Sequence, residues 1–117
     1  VIRRGDIYYV LDNIPAVGSE QSRMGRLAVI VSNNANNKHS PVVEVAYLTT
    51  RPKKSLPTHV ETLGTGKIST VLCEQIDSIS VSKLGKRIGS CSQEEMRAIN
   101  RALAISVGLL IPTRKEA

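Results

Sequence analysis

Leu27, Ala28, Val29, Ile30, Val31 and Ser32 form a run of strand length with no polar alternation until its last residue. Such a run is buried on both faces when it lies at the centre of a sheet. Ahead of it, Leu11 to Arg26 holds Pro15, Gly18 and Gly25 and reads as a long loop, and long loops in compact domains are usually functional or disordered. Its polar part, Val17 to Arg26, combines two glycines with two arginines. Freed backbone N–H groups and guanidinium forks suit a phosphate oxygen, although the same residues also suit a plain solvated connection. Behind the run, Asn33 to Pro41 is rich in residues that tolerate left-handed backbone and reads as a turn region.

Working outward, Ile7 to Val10 reads as a first strand and Val42 to Leu48 as an alternating one. In the latter, Val43, Val45 and Tyr47 share one side, and the strand ends by delivering Thr49 and Thr50. Arg51 to Pro57 is an exposed basic loop. Thr58 to Thr62 returns as a strand. Ser69 to Cys73 and Ile76 to Ser80 read as two strand pieces interrupted by Glu74 and Gln75. Val81 to Leu84 suits a short helical turn and Lys86 to Ser90 a last strand. Ser92 with Glu95 three residues later is a capping box. Met96, Ile99, Leu103 and Val107 then recur at helical spacing until Gly108 and Pro112 stop the helix. Leu109, Leu110 and Ile111 extend the apolar character and suggest a dimer contact. Together these elements predict a mainly β fold with a C-terminal helix: a small, strongly bent sheet or barrel with that helix against it.

Composition agrees. The 117 residues suffice for one domain spanning 1–117, and with no Trp or Phe the core must come from Val, Ile, Leu and Ala, which favours sheet. Sixteen Lys and Arg against ten Asp and Glu give a formal charge of +6, which leans toward an anionic partner such as nucleic acid. Cys73 and Cys91 lack metal-ligand spacing and read as buried, reduced thiols. No run approaches a membrane span or a signal peptide, so a cytoplasmic protein without membrane contact is expected.

Phosphate-binding loops, nucleophile elbows, zinc-protease helices and clustered carboxylates are all missing from the sequence. An enzyme built this way works without metal, cofactor or protein nucleophile. RNA cleavage meets that condition, because the substrate's own 2′-hydroxyl can attack the adjacent phosphorus while the protein orients it, stabilises charge and moves two protons.

Several motifs, in order and spread over nearly the whole chain, carry a resemblance. They are Arg4 to Tyr8; Gly18 to Gln21 followed by Gly25 and Arg26; Val31 to Asn33; Leu56 to Val60; Leu72 with Glu74 to Ile76; and the helix carrying Glu95, Met96, Ala102, Leu103 and Ile105. Taken together they resemble the MazF/PemK toxin family. The resemblance implies a small SH3-like β-barrel with helices, a homodimer, and a metal-independent, sequence-specific endoribonuclease that cuts single-stranded mRNA and is held inactive by a cognate antitoxin.

By resemblance, Arg26 matches the family's catalytic arginine and Thr49 its catalytic threonine. The family usually has proline directly after that arginine, whereas Leu27 stands here, and the preceding loop is one residue longer, which keeps Arg23 as an alternative counterpart. Arginine, with a reference pKa of about 12.5 or more, is a poor base near neutral pH, so Glu20 and His59 join it as candidate proton acceptors. Ser19, Glu20, Gln21, Thr58 and Gln75 suit base edges, and Arg51, Lys53 and Lys54 the backbone. Leu56 and Pro57, with an arginine plane, suit packing against bases, and His59 beside them is a further substrate-binding candidate. The basic loop also suits an acidic, extended antitoxin segment. Two other functions fit the same kind of barrel: a non-enzymatic poison like the CcdB relatives that trap DNA gyrase, and a catalytically silent RNA-binding barrel.

Overall fold

The apolar run becomes β2 (Arg26–Ile30), flanked by β1 (Asp6–Val10) and β3 (Val42–Thr49) in a computed structural model that describes residues 1–11 and 25–112. The chain continues through β4 (His59–Thr62), β5 (Ser69–Ser80), a 3-10 turn (Val81–Lys83), β6 (Leu84–Ser90) and a helix over Gln93–Ser106. A short helix, α1 (Asn34–His39), joins β2 to β3, making the C-terminal helix α2. All pairings are antiparallel, and the strands lie in the order β4-β5-β3-β2-β1-β6.

Successive residues of the central strands feed two separate cores. Val29, Ala46, Leu48, Val71 and Cys73 pack with Ile99 and Ala102 of α2. Ala28, Ile30, Val43, Val45, Tyr47 and Ile79 fill the other face. Two-sided burial explains why the run beginning at Leu27 shows no alternation. The alternation expected in β3 is observed, with Val43, Val45 and Tyr47 together.

The sheet curls until its outer strands meet. A Cβ on Gly89 of β6 would sit 2.0 Å from the carbonyl oxygen of Gly64, just beyond β4, and one on Gly64 would sit 2.5 Å from the Ser90 oxygen. This seam is a backbone contact that only glycine permits, and the paired ladder itself ends at β4 and β6. The result is the expected barrel-like sheet.

β5 explains the break read at Glu74 and Gln75. Ala46 faces Ile76 whereas Leu48 faces Val71, so two steps along β3 span five along β5. The odd step turns the strand over once: Val71 and Cys73 face α2, and so does Ile76. It is one strand with a kink and not the two pieces expected.

Other expectations need correction. Asn33 to Pro41 is not only turn: Asn33 caps α1 by accepting from the Asn36 N–H (2.8 Å), and the Asn37 side-chain amide donates to the Ser32 carbonyl (2.9 Å). These local bonds let weak helix formers hold a helix. β6 begins at Leu84, two residues before the expected Lys86. Cys91 is only half-buried, and Val107, expected in the helix stripe, is 58% exposed. Among the described residues no helix is long and apolar enough to cross a membrane.

Glu95 fastens α2 to the sheet. Its Oε1 accepts from the Ser92 N–H (2.9 Å) and the Thr62 hydroxyl (2.8 Å), and its Oε2 from the Leu63 N–H (2.8 Å). Burial opposes ionisation, but these donors outweigh it and hold the carboxyl below its ordinary value of 4.5. Glu95→Ala is expected to cost about 2 kcal/mol in urea unfolding at pH 7. Because the folded value is the lower one, that contribution is complete above 4.5 and fades as pH falls through the folded value, so parent and variant should converge in acid.

Candidate active site

Arg26 is the first residue of β2, and Gly25 fixes where that strand begins. Gly25 has φ +67°, and a Cβ there would lie 2.0 Å from the Val10 carbonyl oxygen. Val10 faces Arg26, and Leu27 faces Leu48. Leu27 and Leu48 are the last residues paired between β2 and β3 at this end, and Arg26 and Thr49 come next beyond them. Antiparallel neighbours share a face, so both side chains belong to the face of Tyr47 and Val45.

The Arg26 guanidinium is held on two sides. Its Nη2 donates to Gln75 Oε1 (2.7 Å), and its Cζ lies 3.8 Å from the centroid of the Tyr47 ring. The Tyr47 hydroxyl donates to Asp77 Oδ2 (2.7 Å). Thr49 is half-buried and its Oγ1 accepts the Arg51 N–H (3.2 Å), a bond that does not use the hydroxyl proton.

Beyond Thr49 opens a cleft of about 580 Å³ lined by Thr50, Arg51, Pro52, Lys53, Lys54, Ser55, His59, Glu61, Ile68 and Thr70. His59 ties the basic loop to the kink of β5. Its Nδ1 is 2.7 Å from the Lys54 carbonyl oxygen and its Nε2 is 3.0 Å from Glu74 Oε2, with the side chain 8% exposed. A carbonyl only accepts, so Nδ1 carries a proton. The Thr58 hydroxyl donates to Glu74 Oε1 (2.8 Å). Partial burial would raise the Glu74 carboxyl, but bonds from His59, its own backbone and Thr58 outweigh that and lower it.

The structure therefore joins Arg26 to Gln75, sets Thr49 beside Arg26 by register, and lines one cleft with Arg51 and His59. Thr58 bonds Glu74, while Leu56 is exposed and its carbonyl accepts the His59 N–H (3.0 Å), closing the turn through Pro57. His39 is exposed in the last turn of α1. Ser19, Glu20, Gln21 and Arg23 lie outside the described residues. Sequence reasoning missed Tyr47 and Asp77 as part of this group, although the alternation of β3 already put Tyr47 and Thr49 on one side.

Among the described residues no three His, Cys, Asp or Glu side chains gather as a metal site would require. Burial pushes the Cys73 thiol up to about 12 and also raises Cys91, so neither is an activated nucleophile.

A curled, six-stranded antiparallel sheet with a C-terminal helix over one face is the architecture of a class of small toxin barrels. The sequence pattern described as "PemK-like, MazF-like toxin of type II toxin-antitoxin system" matches residues 3–107, and the chain belongs to that family. The endoribonuclease MazF of Staphylococcus saprophyticus subsp. saprophyticus is 40% identical over 114 residues, 93% of each chain. An endoribonuclease from a mycobacterial species, solved in complex with its cognate antitoxin, superposes with a TM-score of 0.77 at 29% identity, covering 96% of this chain and 100% of that one. MazF of Deinococcus radiodurans shares the fold, with a TM-score of 0.72 at 21% identity over 92% of this chain and 97% of its own.

Gly25→Ala and Gly66→Ala separate the two demands on Gly25. Both positions have positive φ (+67° and +91°), and left-handed backbone costs an alanine about 1 kcal/mol. Only at Gly25 does the new methyl also meet backbone, since nothing lies within 4 Å at Gly66. Urea unfolding should show the larger loss for Gly25→Ala.

Proposed function

We propose that this chain is a metal-independent endoribonuclease toxin that cuts single-stranded mRNA, with Arg26 and Thr49 as its catalytic residues. The observation that carries the reading is the pairing of an exposed, held guanidinium with a threonine hydroxyl at one strand end, beside a cleft rich in Lys and Arg, in a chain of this family. The substrate's 2′-oxygen attacks phosphorus as its proton leaves, the bond to the 5′-oxygen breaks, and that oxygen takes up a proton. A cyclic 2′,3′-phosphate and a 5′-hydroxyl result. Arg26 retains N–H donors beyond the one given to Gln75 and offers them to the non-bridging oxygens as phosphorus becomes five-coordinate. The Thr49 hydroxyl donates to the same charge or positions the attacking oxygen.

His59 has both ring nitrogens engaged and suits a structural tie better than a proton acceptor, which favours Glu20 or Arg26 for that task. Arg51, Lys53 and Lys54 suit the RNA backbone. Ser19, Glu20, Gln21, Thr58 and Gln75 suit base edges, and Leu56 and Pro57 the base faces. The cleft equally suits an acidic, extended antitoxin segment, as befits a relative of a protein solved with its cognate antitoxin. The exposed Val107, Leu109 and Ile111 suit a homodimer contact, and mRNA as substrate implies a cytoplasmic setting. No observation on this chain favours gyrase trapping or silent RNA binding.

Incubation with a long single-stranded RNA in EDTA is expected to give discrete cuts. Deoxyribose on the 5′ side of a cut should abolish it. Arg26→Ala and Thr49→Ala should each slow cleavage by about a hundredfold or more. Cleavage by Arg26→Ala at the parent rate would sink the reading.

A further inference from the structure

An arginine at a strand end has several free torsions, and fixing it costs side-chain entropy. A catalytic guanidinium must be fixed without spending the N–H groups meant for phosphate. A carboxylate partner would fix it but occupy the fork and cancel its charge. The described residues place no carboxylate within ion-pair distance of Arg26.

Contact through the flat face avoids that conflict, because the five N–H groups lie in the guanidinium plane. Resting on the endoribonuclease reading above, and deepening it, we propose that Tyr47 is the positioning residue for Arg26 and that Asp77 holds Tyr47 in place. The ring lies 3.8 Å below Cζ, and Tyr47 is itself part of the core with Val43, Val45 and Ile79. The guanidinium is thus braced against the buried interior. Val45 faces Asp77, so the tyrosine hydroxyl reaches diagonally across the ladder to the carboxylate (2.7 Å), fixing the ring's direction. A phenol donating to a carboxylate is also richer in electron density, which strengthens its attraction for a cation.

The test compares Tyr47→Leu, Tyr47→Phe, Asp77→Ala and Arg26→Ala by cleavage kinetics in EDTA, at a temperature where each is folded. Tyr47→Leu removes the ring and is expected to lower kcat roughly tenfold while KM stays within about threefold. Tyr47→Phe keeps the face but loses the bond to Asp77, so kcat should fall about threefold, less than for Tyr47→Leu, and parental kcat in both Tyr47→Phe and Asp77→Ala would overturn the role of Asp77. Asp77→Ala breaks the same hydrogen bond, so it should match Tyr47→Phe, and the double variant should be no slower than either. In the parent protein, NMR should find the Arg26 side-chain protons shifted upfield by the ring beneath them, and Tyr47→Phe should keep that shift. This measurement stands even if Tyr47→Leu fails to fold. Unshifted Arg26 protons in the parent, or Tyr47→Leu cleaving at the parent kcat, overturns the proposal. An inactive Arg26→Ala beside a fully active Tyr47→Leu overturns the positioning role alone, whereas an active Arg26→Ala overturns both readings.

Discussion

Burial of β2 and β3 on both faces is the constraint from which the rest follows. With α2 over one face and the curled sheet over the other, no polar side chain can stand in the middle of either strand without losing water. Polar chemistry is displaced to the strand ends. Antiparallel pairing brings the first residue of β2 and the last of β3 to the same end, so Arg26 and Thr49 become neighbours. The pair is a product of topology before it is a product of side-chain chemistry.

Charge is distributed to match. Three of the chain's sixteen Lys and Arg, namely Arg51, Lys53 and Lys54, line the cleft. Glu61 also lines the cleft, while two further carboxylates near this end, Glu74 and Asp77, are occupied by His59 and Thr58 and by Tyr47 respectively. Both of these carboxylates thereby have local donors, and neither pairs with the Arg26 guanidinium. His59 adds a mechanical role, since its two nitrogens join the basic loop to β5.

Much of this was legible from residues alone. Five of the strands, the two halves of β5, the 3-10 turn and the capped helix followed from apolar patterning and from Ser92 with Glu95, whose capping box is present in the structure. The helix at Asn34–His39 was not legible, because its stability comes from asparagine side chains bonding nearby backbone, and asparagine favours turns by propensity. The contacts around Arg26 were hidden for another reason. Tyr47 and Gln75 lie far along the chain from Arg26, and only strand register brings them to it. The kink in β5 that presents Gln75 appeared in the sequence merely as an interruption.

That kink makes the segment from Leu72 to Gln75 intolerant of insertion or deletion, whatever residues fill it. Removing one amino acid there would restore regular alternation and exchange inward and outward positions on one side of the cut. Either Ile76 and Ile79 or Val71 and Cys73 would then trade places with their neighbours, and the glutamine would swing away from the arginine. Chain length in this short stretch is therefore as much a part of the site as the identity of any side chain in it.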